Sequence, residues 1–175
     1  MSLVNRLVIK FVFKSLLLGL AALSLSSVAT AAQYEQSLRQ FQVGGFDINQ
    51  GGGSSVSPFV RYLPELNFND KFSTGLSVMA SAVKEKVNSS VNGLGELSLF
   101  GAYHFNSSFD VRLFVGAQFW GGSHGSGFTF GPEAHYHFGH DGKIPTWLDS
   151  AFIVYRSVNV DPSASEFGAG IGFKF

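Results

Sequence analysis

From about position 38 to the last residue, apolar side chains recur at every second position, with small or polar residues between them. A repeat of two sends alternate side chains to opposite faces of an extended strand, whereas an amphipathic helix repeats at 3.6. Phe167, Ala169, Ile171, Phe173 and Phe175 share one face, opposite Glu166, Gly168, Gly170, Gly172 and Lys174. Phe109, Val111, Leu113, Val115, Ala117 and Phe119 repeat the pattern against Asp110, Arg112, Phe114, Gly116, Gln118 and Trp120. A third copy sets Phe128, Phe130, Pro132, Ala134, Tyr136 and Phe138 against Thr129, Gly131, Glu133, His135 and His137.

Five more segments, roughly 38–47, 55–64, 71–83, 94–105 and 147–158, lie between turns rich in Gly, Asn, Ser or Asp. The total is eight strands of about 11 residues, the length a tilted membrane strand requires. In 147–158 the parity is ambiguous, because Phe152 and Val154 oppose Ala151, Ile153 and Tyr155. Arg156 is placed inward, since a charge facing lipid costs about 2–4 kcal/mol at mid-membrane.

Two features choose a membrane barrel over a soluble one. The polar faces hold Gly and Ser far more often than Lys or Glu, which suits a crowded interior. Aromatic residues also gather at strand ends, Phe105 and Phe109 around one turn and Phe119 and Phe128 around a loop at the other end, as in the girdles of membrane barrels. The predicted fold is therefore an all-β, eight-stranded antiparallel up-and-down transmembrane β-barrel over residues 32–175.

The N-terminal segment reads as an address. Arg6, Lys10 and Lys14 precede the apolar run 16–23, and Ala29-Thr30-Ala31 follows. This is the layout of a secretory signal peptide, and its apolar core is shorter than the ~20 residues that span a bilayer as a helix. Cleavage after Ala31 removes three of the 12 bases and none of the 12 acids, leaving a mature net charge of −3. With 14% charged residues and no basic stripe, nucleic-acid binding is not expected. The absence of Cys excludes disulfides, thiolate metal sites, thiol nucleophiles and a lipoprotein anchor.

In pattern, size and terminal Phe175, residues 33–175 resemble the small eight-stranded bacterial outer-membrane barrels of the OmpA/OmpX type. The resemblance implies periplasmic termini and surface loops at 48–54, 84–92, 120–127 and 159–164. It also implies contact with outer-membrane lipid and lipopolysaccharide, and recognition of the C-terminal strand (Phe167, Ile171, Phe173, Phe175) by the barrel-assembly machinery. The role it implies is structural or surface-interactive, with no cofactor and no catalysis; no surface partner follows from it.

Arg61, Glu96, Arg112, Glu133, Arg156, Glu166 and Lys174 are the expected lumen charges, four bases against three acids. An eight-stranded barrel fills its interior with its own side chains, so a paired ion network is preferred to a narrow pore. His135 and His137 share a face, with His140 in the next turn and His104 on a nearby strand. Two imidazoles could reach one ion, but a zinc site needs three or four ligands, so polar lumen packing is the preferred reading. In Gly121–Gly127, the His124-x-Ser126 pair is similar to that of outer-membrane lipid A deacylases. There the pair lies on a strand and precedes Asn. Here it is expected in a glycine-rich loop, precedes Gly127, and has no acid nearer than the lumen-facing Glu133. A hydrolase is thus the alternative reading. The segment Lys84–Asn92 is the most polar hairpin and a possible contact for lipopolysaccharide phosphates, although a solvated tip is its default.

Overall fold

A computed structural model describes residues 38–51, 53–84, 91–121, 125–139 and 144–174. Eight strands follow in chain order: β1 (Leu38–Gln50), β2 (Gly53–Asn67), β3 (Phe72–Lys84), β4 (Val91–Asn106), β5 (Phe109–Trp120), β6 (Gly125–His137), β7 (Leu148–Asn159) and β8 (Ala164–Lys174). Each pairs antiparallel with its chain neighbour, and β1 pairs with β8 to close the barrel. The segment 1–31, expected to be a signal peptide, lies outside the described residues.

Several strands run further than the alternation alone predicts. β1 and β2 extend so far that only Gly51 and Gly52 connect them, and Gly51 has φ 57°. Gly125, at φ 74°, opens β6 inside the segment expected to be a loop. Both positions use the left-handed region that glycine alone enters without strain.

The stagger follows from the pairings. Leu38 pairs with Glu65, Glu65 with Gly75, Gly75 with Phe100, Phe100 with Phe114 and Phe114 with Gly131. The β6–β7 register leads on to Arg156, which pairs with Glu166, and Glu166 pairs with Ile48. One circuit thus returns to β1 ten residues along, at Ile48 instead of Leu38. A stagger of that size goes with strands tilted by about 35–45° and a lumen only wide enough for side chains.

Alternation decides what enters that lumen. Outward positions hold Val56, Leu76, Leu97, Leu113, Ile153 and Phe167, all exposed. In β7 the even residues Phe152, Val154, Arg156 and Val158 are buried and Ile153 and Tyr155 are exposed, which resolves the ambiguous parity. Aromatic residues crowd the exterior at the end where β1 begins and β8 finishes, here called the terminal mouth. Phe72, Tyr103, Phe105 and Phe109 form a chain of ring contacts with centroids 4.9–5.6 Å apart, and Trp147 stacks on Phe173 at 5.7 Å. Phe119, Phe128 and Phe167 are exposed toward the far mouth.

The lumen departs from the expected Gly/Ser-rich lining, because Phe46, Phe59, Phe100, Phe114 and Phe152 are buried in it. Inward glycines make the room. A Cβ on Gly75 would lie 2.7 Å from the Phe100 ring and 2.2 Å from the Pro64 carbonyl oxygen. Gly44 seats Phe59, Gly168 seats Phe46 and Gly170 seats Phe152 in the same way. These four glycines are therefore packing partners of rings on neighbouring strands, whereas Gly116 and Gly131 lie against the backbone of the next strand.

Gly75→Ala is expected to cost about 1–3 kcal/mol through overpacking, and Gly101→Ala, where an added Cβ meets nothing within 4 Å, to stay within about 0.5 kcal/mol. Urea unfolding of the detergent-solubilised protein, followed by heat-modifiable gel mobility, measures both.

Candidate functional site

The lumen is the one place where the described residues concentrate buried polar chemistry. Three arginines, Arg61, Arg112 and Arg156, are among the largest fully buried side chains. Burying a guanidinium costs several kcal/mol unless charge and hydrogen bonds compensate it. Arg61 meets both carboxylate oxygens of Glu133 at 2.6 Å and donates through Nε to Gln42 at 2.7 Å. Its guanidinium carbon also lies 4.9 Å from the Phe114 ring centroid and 5.2 Å from that of Phe152. Arg156 covers Phe114 at 4.1 Å and reaches Glu133 at 3.4 Å and Glu96 at 3.9 Å. Phe114 thus has a cation over it from each of two strands, a favourable use of a ring face away from water.

Toward the far mouth, Gln118 donates to Glu96 and Glu166, each at 3.0 Å, and its own carbonyl accepts from Trp120 Nε1 at 3.1 Å. Beyond it the lumen turns apolar with Ile48, Val83, Leu94, Trp120 and Val158.

Toward the terminal mouth the polar network thickens. Arg112 pairs with Asp110 at 3.1 Å and Glu65 at 3.2 Å. Glu65 also accepts from Ser73, whose hydroxyl lies 2.9 Å from His104 Nε2. His137 sits between two carboxylates, with Nε2 2.6 Å from Asp110 and Nδ1 3.2 Å from Asp149. His135, fully buried, stacks between His137 and Phe152 and is hydrogen-bonded through Nε2 to Glu133. Gln40 joins the two regions, since it donates to Asp149 at 2.7 Å and accepts from Gln42 at 2.8 Å.

Six of the seven charges proposed from sequence, Arg61, Glu96, Arg112, Glu133, Arg156 and Glu166, lie buried in the lumen. Lys174 stands at the terminal mouth, part-exposed and 3.2 Å from Asp149. The balance differs from the expected excess of base, because Glu65, Asp110 and Asp149 are buried there too. Glu65 lies one residue beyond the expected end of its strand. Asp149 enters through a β-bulge: the β7–β8 register shifts between Leu148 and Ser150, so Asp149 and Ser150 both turn inward. Strict alternation would have sent Asp149 outside, and bulges commonly re-aim a side chain in this way.

Other candidates are not brought together. Ser126 is exposed on the outward parity of β6, whereas Glu133 is buried in the lumen against Arg61, so no acid–base–hydroxyl relay joins them. His124, His140 and Phe175 lie outside the described residues, as does most of the polar hairpin tip at 85–90. Phe167 and Ile171 are exposed, and Phe173 is half-buried against Trp147.

No protein-family model matches the chain, and no curated protein matches it. Solved structures do. The attachment invasion locus protein Ail of Yersinia pestis, in complex with the heparin analogue sucrose octasulfate, aligns at TM-score 0.53 and 12% identity over 79% of this chain and 97% of its own. Neisserial surface protein A aligns at 0.50 and 18% over 82% and 99%. A structure from the de novo design of transmembrane β-barrels aligns at 0.55 and 12% over 82% and 100%. The fold is that of the small outer-membrane β-barrels. Identity this low carries the architecture only, and function must be argued from the site.

Removing one member of the central pair tests the network. Arg61→Met should cost about 3–5 kcal/mol by stranding the buried Glu133, and adding Glu133→Gln should restore much of the loss, as read by urea unfolding in detergent micelles.

Proposed function

We propose that the chain is an integral protein of the bacterial outer membrane, with a structural or surface-contact role and without catalysis or steady conduction. The observation that carries this reading is a closed barrel that is apolar outside and filled with cross-linked side chains inside. An apolar exterior ringed with aromatics would be an aggregation hazard in water and is what lipid requires. Lipid and lipopolysaccharide are accordingly its first partners. Its termini face the periplasm, and the exposed apolar face of β8 (Phe167, Ile171) is the element that the barrel-assembly machinery reads.

A plugged lumen opposes a pore. Arg61, Glu133 and Phe114 occupy the axis at mid-height, and Trp120 with its aliphatic neighbours closes the far end. Against the hydrolase reading stands the separation of Ser126, outside, from Glu133, inside.

The expected result is recovery in the outer-membrane fraction, solubility only with detergent, and no steady single-channel current in planar bilayers. Recovery as a soluble protein would overturn the membrane assignment, and stable conductance would overturn the plugged lumen. A change in the lipid A acyl pattern of Ser126→Ala cells, read by mass spectrometry, would overturn the non-enzymatic role.

A further inference from the structure

The terminal mouth supplies the third ligand that the two histidines lack in sequence. Asp110 on β5 is the direct cross-strand partner of His135 on β6, and His137 stands two residues on along the same face. Asp110, His135 and His137 each offer a ligand atom, and these atoms lie within 4.8 Å of one another. Two imidazoles and one carboxylate are a recurrent donor set for borderline divalent cations of the zinc class.

Three observations beyond proximity point to an ion. The first is His135 itself, which is fully buried yet has an Nδ1 with no hydrogen-bond partner among the described residues. A buried ring nitrogen without a partner loses its hydration for nothing, whereas a cation would satisfy it. The second is that the surroundings have the form of an outer ligand shell. His135 is held through Nε2 by Glu133, and His137 meets Asp149 through Nδ1 at 3.2 Å. A carboxylate on the far nitrogen fixes the orientation of a metal-bound imidazole and raises its basicity. Arg112 in turn holds Asp110 through both oxygens, Nε on Oδ1 at 3.1 Å and Nη2 on Oδ2 at 3.4 Å, while Oδ2 also faces His137 at 2.6 Å.

The third is charge. Glu65, Glu96, Asp110, Glu133, Asp149 and Glu166 are six buried carboxylates against the buried Arg61, Arg112 and Arg156. Lys174, on Asp149, adds one base at the rim. With His137 protonated between Asp110 and Asp149, the described lumen carries one formal negative charge in excess, and exchange of that proton for a divalent cation brings the sum to zero.

We propose that Asp110, His135 and His137 bind one divalent transition-metal cation of the zinc class at the terminal mouth of the barrel. As the ion enters, the proton between His137 Nε2 and Asp110 leaves to solvent, and the ion takes its place. The remaining coordination positions open toward the mouth, where the His137 and His104 side chains are each 21% exposed, so the ion enters without unfolding. Hard cations such as Mg²⁺ prefer all-oxygen shells and are not competitors.

The inference is independent of the membrane reading and is tested on the detergent-solubilised protein. Equilibrium dialysis with Zn²⁺, followed by elemental analysis, should find one zinc per chain and no comparable Mg²⁺ binding. Co²⁺ should give the intense visible d–d bands of a four- or five-coordinate site. His137→Ala and Asp110→Asn should each weaken zinc binding about tenfold or more, as should Glu133→Gln through the outer shell. Glu166→Gln, at the other end of the network, should leave binding unchanged. Heat-modifiable gel mobility confirms that each variant is folded. Where one is not, the Co²⁺ spectrum of the unaltered protein decides, since weak octahedral absorption would overturn the proposal. So would less than a tenth of a zinc per chain, or unchanged affinity in a folded His135→Ala, His137→Ala double variant.

Discussion

The seam between β1 and β8 is the constraint on which the rest of the structure depends. Eleven consecutive residue pairs, from Gln40 with Lys174 to Gln50 with Ala164, join the first strand to the last. A sheet surrounded by hydrocarbon cannot leave a row of amides and carbonyls open, because no water is there to accept or donate. Closure therefore precedes every other consideration. Strand number and stagger then set the width of the lumen, and side chains must be found that fill it.

Filling it is a problem of volume as well as charge. Large groups enter only where the neighbouring strand withdraws, and Gly44, Gly75, Gly168 and Gly170 withdraw opposite Phe59, Phe100, Phe46 and Phe152. Rings placed this way become the floor on which the arginines lie. Phe114 between Arg61 and Arg156 shows why aromatic and cationic residues share this interior: carboxylate and amide oxygens take part of each guanidinium edge, and the ring takes the face. Glycine content, buried Phe and buried Arg are thus three aspects of one packing solution.

This division explains what could be read from the chain in advance. Strand count, direction and inward parity depend on a local repeat, and Arg61, Arg112, Glu133 and Glu166 lie where that repeat puts them, while Arg156 lies where the cost of a lipid-facing charge puts it. Contacts between strands depend on register, which hairpins and bulges set and the repeat does not. The pairing of Asp110 with His135 follows from the β5–β6 register, which runs unbroken from Trp120 with Gly125 to Phe109 with Tyr136. Asp149 was hidden for the same kind of reason, since only the bulge beside Ser150 turns it inward. Phe46, Phe59 and Phe100 were obscured because Phe on a mixed face reads equally well as lipid-facing, whereas Phe114 already stood on the polar face with Asp110 and Arg112. What would have exposed them is the inward glycine directly across the pair, as Gly75 stands to Phe100.

The two ends of the lumen are chemically unlike, and that asymmetry limits what the barrel can do. At the far mouth, Ile48, Val83, Leu94, Trp120 and Val158 form an apolar plug, so a hydrated ion crossing there would lose its water and gain no partner. At the terminal mouth, the part-exposed His104 and His137 meet the buried Asp110 and Asp149, and Asp149 is linked through Gln40 and Gln42 to Arg61. The described lumen is thus lined by apolar side chains toward one mouth and by polar ones toward the other. It presents two independent faces, an apolar-sealed one and a polar, ion-competent one, on a wall whose stability comes from the network between them.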